Sequence, residues 1–550
     1  MSKWIVKEGL GANLSGSACR FRVWAPNASE VELHLKAPVA RRLPMTREAQ
    51  GYYTAEAQDI APGTRYTYQL NGQTELPDPA SRSQPEGVHG ASEIGDGEFR
   101  WCDSHWFGLP LRDYIIYELH VGTFSAEGTF DGVVNELPRL KDLGITAIEI
   151  MPVAQFPGTR NWGYDGVGLF AVQNSYGGPN GLKRMVEAAH REGIAVILDV
   201  VYNHVGPEGN YLDHFGPYFT DTYKTPWGRA LNFDGPHSEG VRRFFIENAL
   251  YWQTEFHLDA LRLDAVHAIR DISASPFLRE LSRATRARAE ELNRRFYLIA
   301  ETDLNAPRFI LPEQQAGYGL DAQWADDFHH CLHVLLTGEK RGYYEDYTGG
   351  VAQFAKVWRE GYAYTGEYSP FRKARHGDST RLNSLKQFVV CLQNHDQVGN
   401  RMLGERISNL TDFESLKLGA GCVLLSPFIP LLFMGEEYGE CAPFQYFIDH
   451  SDESLIEGVR QGRSEEFASF AWAGEIPDPK GEKTFHDSQL NLNLAEKGDQ
   501  AALLHLYREL ILLRRDYRCF SLAERHEIEV KCSEAGEFLI VHYRCDPELL

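Results

Sequence analysis

The chain has 550 residues, of which 43% are hydrophobic, 24% charged and 12% aromatic. This length predicts about two to four domains of roughly 150 residues each, and the composition is typical of a folded globular chain, which excludes disordered and collagen-like classes. There are 55 Lys and Arg against 77 Asp and Glu, a formal net charge of −22. An acidic surface of this kind repels phosphate backbones and anionic lipids, so we expect neither a nucleic-acid nor a membrane partner.

The cysteines predict a compartment and exclude a disulfide scaffold. Nine of them are scattered from Cys19 to Cys545, without a CxxC pair and without metal-type Cys/His spacing. Such a set indicates free thiols in a reducing environment. There is no amino-terminal apolar stretch and no window of about 18 apolar residues, so we expect an untargeted cytoplasmic chain. The sequence carries no signal for an oligomeric state.

The first hundred residues show the pattern of an antiparallel β domain. Residues 21–24, 31–35 and 66–70 carry bulky or apolar side chains at every second position, and Pro, Gly or Asn lies close to each run. Alternation with this spacing is typical of strands that are buried on one face. We predict an immunoglobulin-like β-sandwich over residues 1–100.

From residue 113 onward, short apolar runs alternate with amphipathic helical patterns. The predicted strands are residues 115–121, 145–153, 195–201, 258–266, 297–303, 320–324, 388–394 and 430–434. Predicted helices cover residues 131–143, 181–192, 240–256 and 275–293, the last with Ser275 as N-cap and Pro276 at the first helical position. A closing helix follows at residues 503–515.

Strands that alternate with helices predict a parallel sheet, and eight of them suit a closed (β/α)8 TIM barrel. We place this barrel at residues 101–515, with an insertion at 206–235, and a short C-terminal β region at 516–550. The chain is therefore predicted to be a multidomain α/β protein. A doubly wound open sheet is the alternative; it is disfavoured because Val121-Gly122-Thr123-Phe124, after the first strand, is not a GxGxxG turn.

Polar residues gather where four of the predicted barrel strands end, which is where barrels of this kind build their sites. Arg262 and Asp264 are two apart in a strand, so they project to one side. An isolated pair of this kind is more often structural. Asp264, Glu301 and Asp396 follow three different strands, however, and three convergent acids cannot all stay ionised, so one becomes a proton donor.

Paired carboxylates in different protonation states suit retaining glycoside chemistry, in which one acid protonates the leaving oxygen and the other attacks the anomeric carbon. The same cluster could instead bind Mg²⁺ or Ca²⁺. His204 and His395 lie in two of these segments, and they are better suited to donating hydrogen bonds to sugar hydroxyls than to binding a hard cation.

Residues 199–204, 262–267, 300–303 and 394–396 resemble, in order and position, the four signature regions of the α-amylase superfamily. The resemblance spans most of residues 113–515. It implies that Asp264 is the nucleophile, Glu301 the general acid/base and Asp396 the transition-state carboxylate. It also implies that Asp199 holds the network at the strand ends.

The resemblance and the local chemistry together give a set of candidate substrate-binding residues. It consists of Tyr164, His204, Arg262, His267, Asn394, His395, Trp162, Trp227, Trp324, Asp326 and Asp327. Tyr164 matches the family's stacking residue under the sugar at the cleaved bond. For Trp162, Trp227 and Trp324, core packing is an equally good explanation. Asp326 and Asp327 are expected either to bind hydroxyls of the substrate or to cap the following helix.

Several further segments are similar to those of one group within the superfamily, the maltooligosyltrehalose trehalohydrolases. They are residues 77–82, 84–90, 264–269, 321–330 and 443–447, and Thr302 and Asp303 after Glu301 differ from the Glu-Ser of branching enzymes. The implied reaction is retaining hydrolysis of the α-1,4 bond next to the terminal trehalose of maltooligosyltrehalose, with maltooligosaccharides as the other partners. A glucan branching transferase and a non-catalytic glucan-binding protein are the alternatives.

Two departures from the wider superfamily stand out. After Asp396 the chain continues with Gln397-Val398-Gly399-Asn400-Arg401 in place of the usual Pro-Arg, which puts the contacts to the next sugar in doubt. The region after residue 515 is shorter than the family's usual C-terminal domain. We expect no metal and no organic cofactor, because the family's calcium site draws on Asn203 and no convincing partner ligands accompany it.

Overall fold

The structure is a computed structural model that describes residues 9–36, 40–95, 99–469, 475–533, 535 and 538–544. Residues 1–8 of the predicted sandwich and 545–550 of the predicted C-terminal region therefore lie outside the described residues. Among the helices of the described part of the chain, none is long and apolar enough to cross a membrane.

The amino-terminal strands form two facing antiparallel sheets, so the predicted β-sandwich is confirmed. One sheet has the order β1-β2-β6-β5 and the other β4-β3-β7-β8, with β9 also paired to β7. Alternate residues such as Phe21, Leu33 and Tyr68 point between the sheets and are fully buried, as the alternation requires. The strands are β1 (Gly11–Ser15), β2 (Ala18–Trp24), β3 (Val31–Leu35), β4 (Arg41–Pro44), β5 (Thr46–Arg47), β6 (Tyr52–Ala57), β7 (Arg65–Leu70), β8 (Glu75–Leu76) and β9 (Ser92–Glu93).

The rest of the chain builds a closed barrel of eight parallel strands, which confirms the predicted TIM barrel. Its strand order is β10-β11-β14-β17-β18-β19-β22-β23. The strands after the sandwich are β10 (Ile116–Leu119), β11 (Ala147–Ile150), β12 (Ala154–Gln155), β13 (Gly168–Val172), β14 (Ala195–Val200), β15 (Phe219–Thr225), β16 (Gly228–Leu231), β17 (Ala260–Leu263), β18 (Tyr297–Ala300), β19 (Ala322–Trp324), β20 (Tyr368–Ser369), β21 (Ala374–Arg375), β22 (Phe388–Cys391), β23 (Ile429–Phe433), β24 (Ile528–Cys532) and β25 (Leu539–Tyr543).

The helices lie between these strands, and their observed bounds differ from the predicted ones by a few residues. Pro276, and not the predicted Ser275, is the N-cap of α6. The helices are α1 (Val121–Phe124), α2 (Phe130–Leu143), α3 (Gly178–Glu192), α4 (Leu212–Phe215), α5 (Ser238–Glu255), α6 (Phe277–Leu292), α7 (Asp326–Thr337), α8 (Gly350–Glu360), α9 (His395–Gly399), α10 (Phe413–Leu424), α11 (Glu453–Ser469), α12 (Glu482–Asp487), α13 (Gly498–Asp516) and α14 (Cys519–Leu522).

The lower interior of the barrel is filled by small and branched side chains. This cluster consists of Tyr114, Ile116, Ala147, Ala195, Ile197, Ala260, Ile299, Ala322, Trp324, Val389, Cys391, Ile429 and Leu431. Its members recur at every second position of a strand, as in Ala195 and Ile197, which identifies the inward-facing side of each strand. Apolar filling here leaves the positions nearer the strand ends for polar side chains.

Seven of the eight predicted barrel strands extend beyond the C-terminal end of the observed strand, and the extra residues include those that carry chemistry. The fourth barrel strand ends at Leu263, and Asp264 follows it. Ala265 has a φ of 39°, so the chain turns sharply there. The fifth strand ends at Ala300, one residue before Glu301. Apolar and β-branched runs thus mark the strands, but turn geometry ends them earlier than the runs suggest.

The predicted insertion at residues 206–235 is not a simple loop, because it contains α4 and the antiparallel pair β15 and β16. It packs against the sandwich: the Trp24 and Tyr218 rings meet edge to face at 5.1 Å between centroids. On the far side of this contact the backbone N–H of Leu10 donates to Oε2 of Glu247 on α5 at 2.8 Å. The sandwich is therefore joined to the barrel through both the insertion and a barrel helix.

A buried charge cluster fastens the connector that leads from the sandwich into the barrel. His190 lies between Oδ2 of Asp103, at 2.9 Å from Nδ1, and Oδ2 of Asp259, at 3.0 Å from Nε2. Trp106 stacks on its ring at 4.7 Å, and Arg294 donates to Asp103 at 2.5 Å. Burial alone would lower the pKa of His190, but the carboxylates of Asp259 and Asp103 outweigh it and raise that pKa.

We expect His190→Gln to lower the free energy of unfolding by about 3 kcal/mol at low pH, since it removes the cation that lies between the buried carboxylates of Asp103 and Asp259. A raised histidine pKa stabilises the fold below its unfolded value of about 6.5 and loses that effect as the pH rises through the folded pKa. The deficit of the variant should therefore shrink at alkaline pH. Denaturant unfolding of both proteins across pH tests this, and a deficit that does not vary with pH would contradict it.

Candidate active site

Arg262 is the centre of the polar cluster at the C-terminal end of the barrel. It is fully buried, and its Nη1 donates to Oδ2 of Asp199 at 2.9 Å and to Oδ1 of Asp264 at 2.8 Å. Its Nη2 lies 3.9 Å from both Oε2 of Glu301 and Oδ2 of Asp396. The residues that follow three different strands therefore converge on one guanidinium, as expected from the strand-end positions.

Asp264 is held from two sides. Arg262 contacts one carboxylate oxygen, and the amide Nδ2 of Asn203 donates to the other, Oδ2, at 2.5 Å. Because both partners donate to this side chain, they fix the direction of its two oxygens. An oriented carboxylate at the mouth of the barrel has the geometry that a nucleophile requires.

The surroundings of Glu301 differ from those of Asp264. Its Oε2 accepts a hydrogen bond of 2.5 Å from the backbone N–H of Ala265. Burial, followed by the charges of Asp264 and Asp396, raises the pKa of its carboxyl group well above the usual range, even though Arg262 opposes the shift. Glu301 can therefore hold a proton next to the oriented side chain of Asp264, and glycoside hydrolysis needs a proton donor beside a nucleophile.

Asp396 lies in the first turn of α9 and is the most open of the three acids, with 40% of its side chain exposed. Asn394 is the N-cap of this helix, and its Oδ1 accepts from the backbone N–H groups of Asp396 and Gln397. Asn394 is buried and occupied as a cap. The structure therefore places it under the site as a support for Asp396, not as a side chain facing the opening.

His395 links three elements beneath the opening. Its Nδ1 lies 2.5 Å from Oε1 of Glu118, and its Nε2 lies 2.7 Å from the hydroxyl of Tyr164. Burial lowers the pKa of this histidine, but the charges of Asp396 and Glu118 outweigh burial and raise the pKa to about 9. Both ring nitrogens then donate, and the Tyr164 hydroxyl in turn donates a hydrogen bond to Oδ2 of Asp199 at 2.6 Å.

Tyr164 and Trp227 are the predicted aromatic residues that keep an accessible face. Tyr164 is half-buried and stacks on His395 at 5.3 Å. Trp227, on the β15–β16 turn, is 48% exposed and stacks on His204 at 4.8 Å with an interplanar angle of 7°. The Nε2 of His204 lies 2.9 Å from the carbonyl oxygen of Tyr164. The insertion thus brings an exposed indole next to the signature regions.

Trp162 and Trp324 do not offer a sugar platform. Trp324 is 3% exposed, belongs to the barrel interior and lies under the guanidinium of Arg262 at 4.3 Å. Trp162 is also 3% exposed, stacks on Phe444 at 5.0 Å and donates through Nε1 to the carbonyl oxygen of Gln445. Both rings fill space and position their neighbours, so the core-packing alternative is the correct one for them.

The two aspartates after β19 have different surroundings. Asp327 is buried and its oxygens accept from Asn305, Tyr347 and the backbone N–H groups of Ala363 and Tyr364, which leaves no room for a sugar hydroxyl. This is a correction to its prediction as a substrate contact.

Asp326 keeps part of its surface exposed. Its carboxyl group is nevertheless desolvated, and this burial, followed by the charges of Asp396 and Asp303, raises its pKa to about 7. Neither aspartate's side chain caps α7. His267 is partly exposed, with Nδ1 3.8 Å from Oδ1 of Asp303.

Asn203, from which the family's calcium site draws, does not fit a cation here. Its Nδ2 donates to both the carbonyl and the carboxylate of Asp264, and its Oδ1 contacts Nδ1 of His204. Within the described ranges, no group of three or more His, Cys, Asp and Glu residues could hold a metal ion.

The sequence reasoning missed two buried acids in the barrel wall, Glu118 on β10 and Glu149 on β11. Glu118 accepts from both the backbone N–H and Nδ1 of His395. A single charged residue inside an otherwise apolar barrel strand was the signal that could have identified each of them, because an isolated buried charge is costly unless it has a purpose.

Comparison with known proteins supports the fold. A family model described as the alpha amylase catalytic domain matches residues 77–226, and one described as carbohydrate-binding module 48, the isoamylase N-terminal domain, matches residues 9–82. A crystal structure described as an alpha amylase, from Salmonella typhimurium, has a TM-score of 0.91 at 40% identity and covers 98% of this chain and 91% of its own.

Curated relatives are more specific. Malto-oligosyltrehalose trehalohydrolases from Saccharolobus solfataricus and Mycobacterium tuberculosis are 49% and 44% identical, covering 92% and 90% of this chain and 87% and 86% of their own lengths. A glucan branching enzyme from Xanthomonas campestris is 30% identical over 79% of this chain and 63% of its own length. The chain belongs to the malto-oligosyltrehalose trehalohydrolase family of α-amylase-type glycoside hydrolases.

Proposed function

We propose that this chain hydrolyses the α-1,4 bond next to the terminal trehalose of maltooligosyltrehalose with retention of anomeric configuration, releasing trehalose and a maltooligosaccharide. The observation that carries this mechanism is that the two acids beside Arg262 have different surroundings. Asp264 is bonded to the guanidinium, whereas burial and neighbouring carboxylates raise the pKa of Glu301. The names of the relatives, together with the match over most of both chains, support the substrate.

In the first step, the carboxylate of Asp264 attacks the anomeric carbon while the carboxyl group of Glu301 gives its proton to the bridging oxygen. The glycosidic bond breaks, trehalose leaves, and a glycosyl ester forms on Asp264. In the second step, Glu301, now ionised, takes a proton from water as the water attacks the same carbon. The ester breaks, so Asp264 regains its charge and Glu301 its proton.

The remaining side chains act on the substrate without forming bonds to it. Asp396 is open enough to accept hydrogen bonds from ring hydroxyls, which strengthen as the ring flattens in the transition state. Tyr164 offers a ring face below the reacting sugar. His395, held as a cation between Glu118 and Asp396, keeps Tyr164 in place. Trp227 and Asp326 lie at the edges of the opening and are proposed to contact neighbouring sugars.

Product analysis tests the proposed reaction directly. The purified protein is incubated with maltooligosyltrehalose and, separately, with amylose, and free trehalose and new α-1,6 branch points are measured by chromatography and NMR. We expect trehalose from the first substrate and no branch points from the second. Branch points without trehalose would instead support the branching-enzyme alternative, and inactivity on both substrates would support the glucan-binding alternative.

The raised pKa of Glu301 predicts the alkaline limb of the pH profile. Trehalose release should fall as the pH rises through this pKa, because an ionised Glu301 cannot protonate the leaving oxygen. Asp326 is one of the charges that raise the pKa of Glu301. Asp326→Asn removes that charge, so the alkaline limb of kcat/KM should move to lower pH. Asp131→Asn, at an exposed acid paired with Arg184 on the outer helices, is the control; equal shifts in both variants would contradict the assignment.

We also propose the domain division at residues 1–100, 101–515 and 516–550, and a cytoplasmic location. The division is supported by the end of the last sandwich strand at Glu93 and by α13, which ends at Asp516. The location is supported by the cysteines: each of the eight in the described residues is a free thiol.

A further inference from the structure

Glu149 is a buried acid that the proposed reaction does not use. It lies on β11, it is 1% exposed, and neither of its carboxyl oxygens has a hydrogen-bond partner among the described residues. Buried polar groups in folded proteins nearly always have a partner. A carboxyl group with none, at the height of the active site, calls for a physical explanation.

The register of the barrel shows which groups face Glu149. Glu118 and Glu149 are partners across neighbouring parallel strands, so their side chains point to the same side of the sheet. Ile116 and Ala147, two residues before them, belong to the cluster that fills the barrel interior. Both acids therefore point into the barrel, just above its apolar filling and just below the site.

The charged groups around Glu149 provide no cation to pair with it. The ionisable groups that act on it are Glu118, Asp199, Arg262 and His395, from β10, β14, β17 and α9. Arg262 is paired with Asp199, and His395 with Glu118. A third carboxylate in this dry space would be uncompensated, and a buried unpaired charge costs several kcal/mol. A neutral carboxyl group carries no such cost.

We propose that Glu149 is a positioning residue that carries a proton and shares it with the carboxylate of Glu118, directly or through an internal water molecule. Two carboxyl groups this close hold one proton between them more readily than two charges. The inference deepens the proposed function and rests on it. It is supported by the pKa of Glu149, which burial and then the charge of Glu118 raise well above the usual range.

A proton on Glu149 affects the reacting centre through Glu118. That carboxylate accepts from both the backbone N–H and Nδ1 of His395, and His395 holds the Tyr164 hydroxyl at 2.7 Å. A proton on Glu149 gives Glu118 a third partner and fixes the direction of its carboxylate. The position of Tyr164 is then set partly by Glu149, which lies beneath the site and touches neither substrate nor product.

Three variants separate this role from a merely structural one. Glu149→Gln keeps a neutral donor and acceptor, so kcat should stay within about threefold of wild type and both limbs of the pH profile should stay in place. Glu149→Leu removes the donor, so kcat should fall by about tenfold or more with little change in KM. Gln323→Leu is the matched control, because that buried amide also lacks partners but its neighbours Ala322 and Trp324 face inward, so it faces outward.

Infrared difference spectroscopy of wild type against Glu149→Gln gives a readout that needs no substrate. We expect the C=O band of a protonated carboxyl group in the wild type, absent from the variant. A carboxylate band instead, a shifted pH limb in Glu149→Gln, or full activity in Glu149→Leu would each overturn the proposal. Lack of trehalose release by the wild type would overturn the proposed function and leave the infrared result standing.

Discussion

Replacing Asp264 by Asn, or Glu301 by Gln, is expected to lower kcat for trehalose release by about a thousandfold or more, with substrate binding still measurable. Asp264→Asn removes the attacking charge while keeping the shape of the side chain. Glu301→Gln removes the proton that the leaving oxygen receives in the proposed first step. Steady-state assays on maltooligosyltrehalose measure kcat and KM, and thermal unfolding shows whether each variant is folded.

A glucosyl fluoride substrate distinguishes the two roles, because fluoride leaves without protonation. Glu301→Gln should then form the glycosyl ester on Asp264 faster than water can remove it, and mass spectrometry should detect the adduct. Asp264→Asn should form none. Near wild-type turnover in either variant, or an adduct on another residue, would show that its assignment is wrong. Cys102→Ser, at an exposed thiol outside the strand-end cluster, serves as the matched control.

Arg262→Lys is expected to lower both activity and stability. One guanidinium donates to Asp199 and Asp264 and lies within 4 Å of Glu301 and Asp396. A lysine ammonium is a point charge without the planar fork, so it cannot hold these groups apart in the same geometry. We expect kcat to fall by about a hundredfold or more, and the free energy of unfolding to fall by about 3–5 kcal/mol.

The control for this substitution is Arg514→Lys. Arg514 is also buried, but its guanidinium donates to the backbone carbonyls of Leu424, Ser426 and Phe428, away from the strand-end cluster. It should lose stability and keep kcat. If the two variants lost activity in proportion to their loss of stability alone, Arg262 would have a structural role only. Activity assays below the unfolding transition separate the two effects.

Much of the fold was predictable because barrel strands and helices leave strong local patterns. Apolar runs such as that of β14, which is buried along its whole length, are typical of strands in a parallel sheet covered on both faces. The strand ends were less predictable: Asp264 and Glu301 follow their strands because of turn geometry, including the positive φ of Ala265. The insertion was predicted as a loop, because its hairpin is short and largely exposed, so no long apolar run marks it.

The candidate site, like the fold, was predictable only in part. The motif residues around Asp264, Glu301 and Asp396 were predictable from their order and spacing. Which aromatic rings stay open was not, because Trp162 and Trp227 look alike in sequence and only packing separates the buried ring from the exposed one. The same holds for the neighbouring acids: Asp327 is surrounded by donors, and Asp326 is not.

The sequence by itself determined the family and the barrel and indicated the three candidate acids, since each depends on residue types at set intervals along the chain. The tertiary structure decided the rest. It brought four carboxylates to the guanidinium of Arg262, buried Glu301 among neighbouring charges that raise its pKa, and placed Glu118 and Glu149 beneath the site. Such properties arise from burial and from distances between residues far apart in the chain, and local sequence patterns do not encode these distances.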